Sequence, residues 1–181
     1  MINKKVHNNI GDIMYFLNSF FIYSILGYIF ETIGGIITKT NYKSGILHGP
    51  WTPIYGIGVV VILLLSNYFF KNLHMPRWKE TIIVIIILAV FLTCLEAIGG
   101  ILIEKTSGIV FWDYSDKKFH IGKYICLEMM LVWAIGSVIF IYFINPILDS
   151  IIKKVPLFLT IAMSIVFIID IIYTICTGIK K

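Results

Sequence analysis

Charged residues are scarce in this sequence. Only 14% of its 181 residues are Asp, Glu, Lys or Arg, whereas a soluble domain carries roughly 25%. Hydrophobic residues make up 59%, and they occur in blocks close to the ~20 residues that span a bilayer core. The composition therefore argues against an ordinary soluble domain and predicts an integral membrane protein.

Cysteine is also rare. The three cysteines, Cys94, Cys126 and Cys176, all lie in apolar runs and show no C-x-x-C spacing. An odd number of cysteines without a C-x-x-C pair predicts neither a disulfide framework nor a zinc site. We expect these side chains to act as small apolar packing residues.

Several catalytic and cofactor-binding motifs are missing. The sequence contains no G-x-x-x-x-G-K-[ST], so it has no phosphate-cradling loop for ATP. It contains no H-E-x-x-H and no G-x-S-x-G, the signatures of common metalloproteases and lipases. We therefore expect no metal and no cofactor in this chain.

The net charge of +5 raises the question of a nucleic-acid partner. The lysines, however, occur in pairs at the ends of apolar blocks, which is typical of membrane flanks. No basic stripe with interleaved aromatics is present. We expect the lipid bilayer, and no nucleic acid, as the partner of these pairs, which are Lys4-Lys5, Lys117-Lys118, Lys153-Lys154 and Lys180-Lys181.

The apolar blocks predict an all-α, polytopic membrane helix bundle. We expect a single integral membrane domain over residues 1–181 with about five transmembrane helices. Pro50 and Pro53 suit the start of the second helix, and Asn145-Pro146 is expected to end or kink the fourth. The predicted helices cover residues 14–38, 51–70, 80–103, 124–148 and 156–177.

One phrase occurs twice, as ETIGGII from Glu31 and as EAIGGIL from Glu96. Each copy is followed by a Lys-Thr pair and by Ser-Gly-Ile. We therefore predict two parallel helix-loop-helix repeats followed by a C-terminal helix, an arrangement that some transporters use. The alternative is that the Gly-Gly pairs are packing devices that let helices approach closely. These glycines are Gly34, Gly35, Gly99 and Gly100.

Both repeated glutamates are expected inside the membrane. They lie about 10–12 Å from the ends of their predicted helices, where a charged side chain costs roughly 2–3 kcal/mol or more. Either they form a paired functional site, one from each repeat, or each is a hydrogen-bonded acid that holds helices together. Glu128 and Asp170 are further intramembrane acids. For Asp170 we expect a helix neighbour as partner or an oligomer contact.

Two connecting segments are rich in polar motif residues. Residues 45–58 read GILHGPWTPIYGIG, and the two prolines and four glycines predict a defined turn around His48. His48 could titrate, donate or ligate, or it could be a satisfied hydrogen-bonding residue. We assign a structural role to the other motif residues of this turn, which are Gly49, Pro50, Pro53 and Tyr55.

Residues 111–120 read FWDYSDKKFH. Trp112 and its aromatic neighbours suit the membrane interface. Asp113, Asp116 and His120 have no recognised metal-ligand spacing. We therefore interpret this segment as a vestibule for a substrate or a lipid headgroup.

The orientation is weakly encoded. Seven Lys and Arg residues lie on the N-terminal side and eight on the other, which does not decide the question. If residues 104–123 dip back into the protein, their four lysines are discounted, and the N-terminus is favoured in the cytoplasm.

Four motifs in this order resemble the bacterial family of CmpB-type ABC-transporter permeases. They are FIYSILGYIFET (residues 21–32), GILHGPWTPIYGIG, FWDYSD and GKYICLE (residues 122–128). The resemblance covers roughly residues 21–148. The sequence departs from the family pattern at Ser44, at His120-Ile121 and at Trp133-Ala134, so the resemblance assigns no role to those positions.

The resemblance implies a transport subunit in the bacterial plasma membrane. Such a small bundle would need a separate ATPase or a homo-oligomer as partner. We expect the pathway residues to be Glu31, His48, Glu96, Trp112, Asp113, Asp116 and Glu128. One alternative is a membrane-embedded enzyme on lipid or isoprenoid substrates, with raised pKa values at buried acids. Another is a structural or assembly protein.

Overall fold

Helices dominate the computed structural model, which describes residues 9–39, 45–65 and 76–178. Within these residues there are five helices, which confirms the predicted all-α membrane bundle and its helix count. They are α1 (Asn9–Thr38), α2 (Pro53–Leu64), α3 (Arg77–Ser107), α4 (Leu127–Ile152) and α5 (Leu157–Thr177).

Four of these helices are long and apolar enough to cross a membrane. The qualifying segments are Gly11–Thr38, Trp78–Ser107, Leu127–Ile152 and Leu157–Thr177. The helix α2 is apolar and is described over 12 residues. Its predicted end at residue 70 lies outside the described residues, as do Lys4, Lys5, Lys180 and Lys181.

The helix boundaries differ from the predicted ones by up to five residues. α2 begins at Pro53, since proline is favoured at the first helical position. α3 extends past residue 103 to Ser107, where Gly108 ends it with a left-handed φ of 69°. The N–H of Gly108 donates to the carbonyl of Glu104 at 2.9 Å, which satisfies an otherwise free helix carbonyl.

A small hairpin replaces the predicted start of the fourth helix at residue 124. Strands β1 (His120–Ile121) and β2 (Ile125–Cys126) pair antiparallel. α4 then begins at Leu127, and the sulfur of Cys126 caps it by accepting from the N–H of Met129. The predicted helix start at residue 124 was wrong, because the backbone of residues 125 and 126 pairs with that of residues 120 and 121 in the hairpin.

Pro146 widens α4 but does not end it. The five residues Phe140–Ile144 form a π-helical segment, and the N–H of Asn145 donates to the carbonyl of Phe140. Proline has no N–H and cannot make the usual bond to the preceding turn, so the helix adjusts locally. It then continues to Ile152, four residues beyond the predicted end.

The chain forms two compact units. The first contains Met1–Leu63 and Leu148–Lys181, and thus α1, most of α2 and α5. The second is Leu64–Ile147, with α3, the hairpin and most of α4. The predicted single domain over residues 1–181 stays a prediction.

Glycines allow α1 and α2 to approach closely in the first unit. A Cβ on Gly27 would lie 2.2 Å from the ring of Tyr55. A Cβ on Gly56 would lie 2.3 Å from the hydroxyl of Ser24 and 2.4 Å from the backbone carbonyl of Phe20. Two helices therefore meet through a glycine on each, as is common in membranes.

Replacing Gly56 with alanine should destabilise the protein. The new methyl group would press on the Phe20 carbonyl, which belongs to the helix backbone and cannot rotate away. Overpacking of this kind costs about 1–3 kcal/mol. Thermal unfolding of the purified protein in a non-ionic detergent measures the effect as a lower midpoint.

Gly136→Ala is the matched control, because no atom of the residues that the structure describes lies within 4 Å of a Cβ placed there in α4. Alanine is favoured over glycine inside a helix by roughly 0.5–1 kcal/mol. We expect an unchanged or higher midpoint. Equal midpoints for the two variants would show that α1 and α2 do not pack as described.

Candidate functional site

The side chain of Asp170 on α5 binds backbone N–H groups of the loop that precedes α2. We call residues 45–52 the proline loop. One carboxylate oxygen of Asp170 accepts the N–H of His48 at 3.2 Å, and the other accepts the N–H of Gly49 at 2.9 Å. Asp170 is only 9% exposed. A buried carboxylate therefore supplies the acceptors that two non-helical N–H groups need.

Gly49 is required for this contact. A Cβ at position 49 would lie 2.2 Å from Nε1 of Trp51 and 2.9 Å from Oδ2 of Asp170. No side chain fits between the loop backbone and the carboxylate. The glycine assigned a structural role in the sequence thus lets the loop backbone reach Asp170.

The side chain of His48 also contacts α5. Its Nδ1 lies 2.9 Å from the hydroxyl of Thr174, and its ring packs edge-on against Tyr173 with centroids 4.9 Å apart. Its Nε2 is buried and has no hydrogen-bond partner among the described residues. His48 is therefore bound on one nitrogen only.

The proline loop is packed against the middle of α1. The N–H of Thr52 donates to the carbonyl of Ser24 at 2.9 Å. Trp51 is 6% exposed and packs edge-on against Phe21 and Phe167. Ser24 lies about 21 Å along the helix axis from the end of α1. A bilayer core is about 30 Å thick, so the middle of α1 lies inside it. The non-helical backbone of the proline loop, which contacts Ser24, therefore lies at membrane depth.

A second carboxylate holds the connection between α3 and α4. We call residues 109–126 the hairpin loop. Glu96 on α3 accepts the hydroxyl proton of Tyr114 at 2.7 Å and the indole N–H of Trp133 at 2.9 Å. Glu96 lies about 17 Å from the end of α3 at Ser107. The hairpin loop therefore folds back along α3, and its Tyr114 side chain reaches Glu96.

An ion pair holds the other end of the hairpin loop. Glu104 accepts from Nζ of Lys123 at 2.5 Å and from the hydroxyl of Tyr124 at 2.9 Å. The hydrogen bond to Glu104 raises the pKa of Lys123, and burial together with the same carboxylate raises the pKa of Tyr124. The ring of Tyr124 lies over Gly100, where a Cβ would be 2.5 Å away. Gly100 thus makes room for a loop side chain.

The acids of the hairpin loop itself lie at its surface. Asp113 accepts the N–H of Ser115 at 2.8 Å, and its hydrogen bonds to Ser115 lower the pKa of Asp113. Asp116 is exposed and pairs with Lys117 at 3.4 Å. Trp112 packs edge-on against Tyr124, and its Nε1 is buried without a partner among the described residues.

The remaining predicted residues are distributed over both units. Glu31 is half-buried near the end of α1, in the first unit, whereas Glu96 belongs to the second. Their pairing across the two repeats therefore stays a prediction. Glu128 was expected one turn inside its helix, but it is the second residue of α4 and is exposed. Among the described residues, no atom lies within 4 Å of a Cβ on Gly34 or Gly99.

Sequence reasoning missed the role of Asp170 and the contribution of Trp133. Asp170 was expected to pair with a helix neighbour or with another copy, but it binds a loop 121 residues away in sequence. A signal was available, since a loop rich in unpaired N–H groups and a lone acid in an apolar helix are complementary. Nothing in the sequence specified which acid would meet which loop.

The helices and the two carboxylate-held loops define a multi-pass helical membrane protein. The chain belongs to the family described as Putative ABC-transporter type IV (ABC_trans_CmpB), whose model matches residues 18–175. This confirms the resemblance that the sequence motifs indicated. No curated protein and no solved structure matches the chain significantly. The family and the spanning helices together fit a membrane transport protein.

Asp170→Asn should loosen the proline loop. Asparagine offers one side-chain oxygen, and its amide cannot accept, so one of the two N–H groups loses its partner. The loss of about 1–3 kcal/mol predicts hydrogen exchange at His48 and Gly49 that is about fivefold to a hundredfold faster. Exchange measured by mass spectrometry on peptides covering residues 45–52 detects the change.

Asp149→Asn is the control for Asp170→Asn, since Asp149 also belongs to the first unit but binds Tyr15 and Lys153. We expect unchanged exchange in residues 45–52. If Asp170→Asn leaves this exchange unchanged as well, Asp170 does not hold the loop.

Glu96→Met should release the hairpin loop, whereas Glu96→Gln should largely retain it. Methionine leaves the Tyr114 hydroxyl and the Trp133 N–H, both partly buried, without their acceptor, at about 1–3 kcal/mol for each donor. A glutamine amide can accept from Trp133 and donate to the tyrosine oxygen. Trypsin cleavage at Lys117 and Lys118 should be faster for Glu96→Met alone. Equal cleavage of all three proteins would contradict the contact.

Proposed function

We propose that the chain is the membrane-embedded subunit of a transport system and that its two carboxylate-held loops line the solute pathway. The observation that carries the proposal is the non-helical proline loop at membrane depth, held by Asp170 and by the carbonyl of Ser24. The hairpin loop, whose Tyr114 side chain reaches Glu96, is a second loop held by a carboxylate, in the other unit.

Irregular backbone is expensive in the bilayer core, because each unsatisfied N–H or C=O group costs several kcal/mol there. Such backbone is found where it is buried in protein or lines a water-filled cavity, as in selectivity filters and the interrupted helices of transporters. The presence of such backbone in this chain supports a pathway role for the proline loop.

The pathway would use the polar residues that lie on or beside the loops. Glu31 and Glu96 would offer negative charge to a solute or coupling ion, and His48 would offer its free ring nitrogen. Asp113 and Asp116, which are exposed, would form an outer vestibule together with Trp112. The paired arrangement of the two glutamates is part of this proposal.

Energy for transport would come from outside the sequence, which contains no phosphate-cradling loop. A separate ATPase is the partner that the family indicates, and a homo-oligomer could complete the pathway. We place the assembly in the bacterial plasma membrane. The enzyme alternative requires Glu31, His48, Glu96 and Asp113 to converge. These residues belong to two units, so that alternative stays a prediction.

Everted membrane vesicles from the host cell provide the test. Vesicles with and without the chain are incubated with a pool of isotope-labelled solutes, with and without ATP, and the internal solutes are measured by mass spectrometry. We expect the amount of at least one solute inside the vesicles to depend on both ATP and the chain. Asp170→Asn should lower its accumulation.

Asp149→Asn is the control and should accumulate the solute as the unaltered chain does. The amount of each variant in the membrane is measured in parallel, so that a folding defect is recognised. Identical solute profiles with and without the chain would overturn the proposal. A change in lipid composition in place of solute content would favour the enzyme alternative.

A further inference from the structure

The carboxylate of Asp170 has no cationic partner among the described residues. Its two bonds come from neutral backbone N–H groups, those of His48 and Gly49. Each carboxylate oxygen has a second lone pair and can still accept. In the spanning helix α5 such a carboxylate is a strong attractor for a cation, because the surrounding dielectric is low.

A groove of about 260 Å³ runs past this carboxylate in the first unit. Its walls are Gly49, Pro50 and Trp51 of the proline loop and, on α5, Ile169 and Tyr173 with Asp170 between them. Apart from the carboxylate these walls are largely apolar or aromatic. The groove therefore combines one negative group with aromatic rings and aliphatic surface.

The groove is open on its α5 side. Ile169 is 59% exposed and Tyr173 is 52% exposed, whereas Asp170 is 9% exposed. The carboxylate thus lies at the bottom, and exposed side chains of a membrane-spanning helix form the rim. A headgroup could enter from the bilayer while an attached alkyl chain stays in the lipid.

We propose that this groove binds the ammonium group of an amphiphilic organic cation, with Asp170 as counter-ion and the rings of Trp51 and Tyr173 as aromatic walls. Aromatic rings with a carboxylate are the chemistry that recognises quaternary ammonium groups. The volume is below the ~300 Å³ of ordinary ligand pockets, which suits a headgroup and not a whole lipid. The inference concerns binding and does not depend on transport.

The test is direct binding of radiolabelled decyltrimethylammonium to the purified full-length protein in a non-ionic maltoside detergent. A scintillation proximity assay measures the bound cation. We expect saturable binding that is not displaced by decanol or by decyl sulfate, which share the alkyl chain but lack the positive charge. Equal displacement by decanol or decyl sulfate would overturn the proposal, as would the absence of saturable binding.

Two variants locate the site. Tyr173→Leu removes an aromatic wall and should weaken binding about fivefold or more. Its matched control is Tyr142→Leu, because Tyr142 is 54% exposed on α4 and does not line the groove. Equal affinities for the two variants would place the cation elsewhere and overturn the proposal.

Asp170→Asn removes the charge and should abolish saturable binding. Its thermal midpoint and its elution on size exclusion are recorded first, because this variant also loses a loop contact. If the variant is misfolded, the comparison of Tyr173→Leu with Tyr142→Leu decides the question. A folded Asp170→Asn protein that binds decyltrimethylammonium with unchanged affinity would overturn the proposal.

Discussion

The structure depends on hydrogen bonds between carboxylates and loop donors at membrane depth. Away from water, each backbone N–H that leaves a helix must find an acceptor within the protein. Asp170 provides two acceptors for the proline loop, and Glu96 provides two for side chains that hold the hairpin loop and α4. Each acid costs free energy in the membrane, but the cost is offset because it removes the penalty of unpaired donors.

The same constraint explains the positions of two glycines. The proline loop reaches Asp170 only because Gly49 has no side chain, and Tyr124 reaches Glu104 only because Gly100 leaves room for its ring. Each glycine thus serves a contact between a loop and a carboxylate on a helix. A substitution at either position would act first on a loop, and through the loop on any function that the loop carries.

Much of the fold could be predicted from the sequence, because long apolar runs specify spanning helices by length alone. Glu96 could be singled out because it is repeated and is surrounded by apolar residues. Its partners Tyr114 and Trp133 could not, since a hydrogen bond depends on how a loop folds back. For Asp170 the difficulty was larger, because its partners lie more than one hundred residues away in the chain. The end of the fourth helix was misplaced because a π-helical segment accommodates Pro146.

Disulfide trapping tests most directly whether the proline loop lies at membrane depth. Ser24→Cys and Thr52→Cys are combined in a chain whose native cysteines are replaced by serine, and membranes are treated with copper phenanthroline. The backbone nitrogen of Thr52 lies 2.9 Å from the carbonyl oxygen of Ser24, so the two residues are in direct backbone contact, which favours a cross-link between them. The account predicts a cross-link between positions 24 and 52, seen by peptide mass spectrometry. A cross-link of position 52 to Thr38→Cys at the end of α1, with none to position 24, would contradict it.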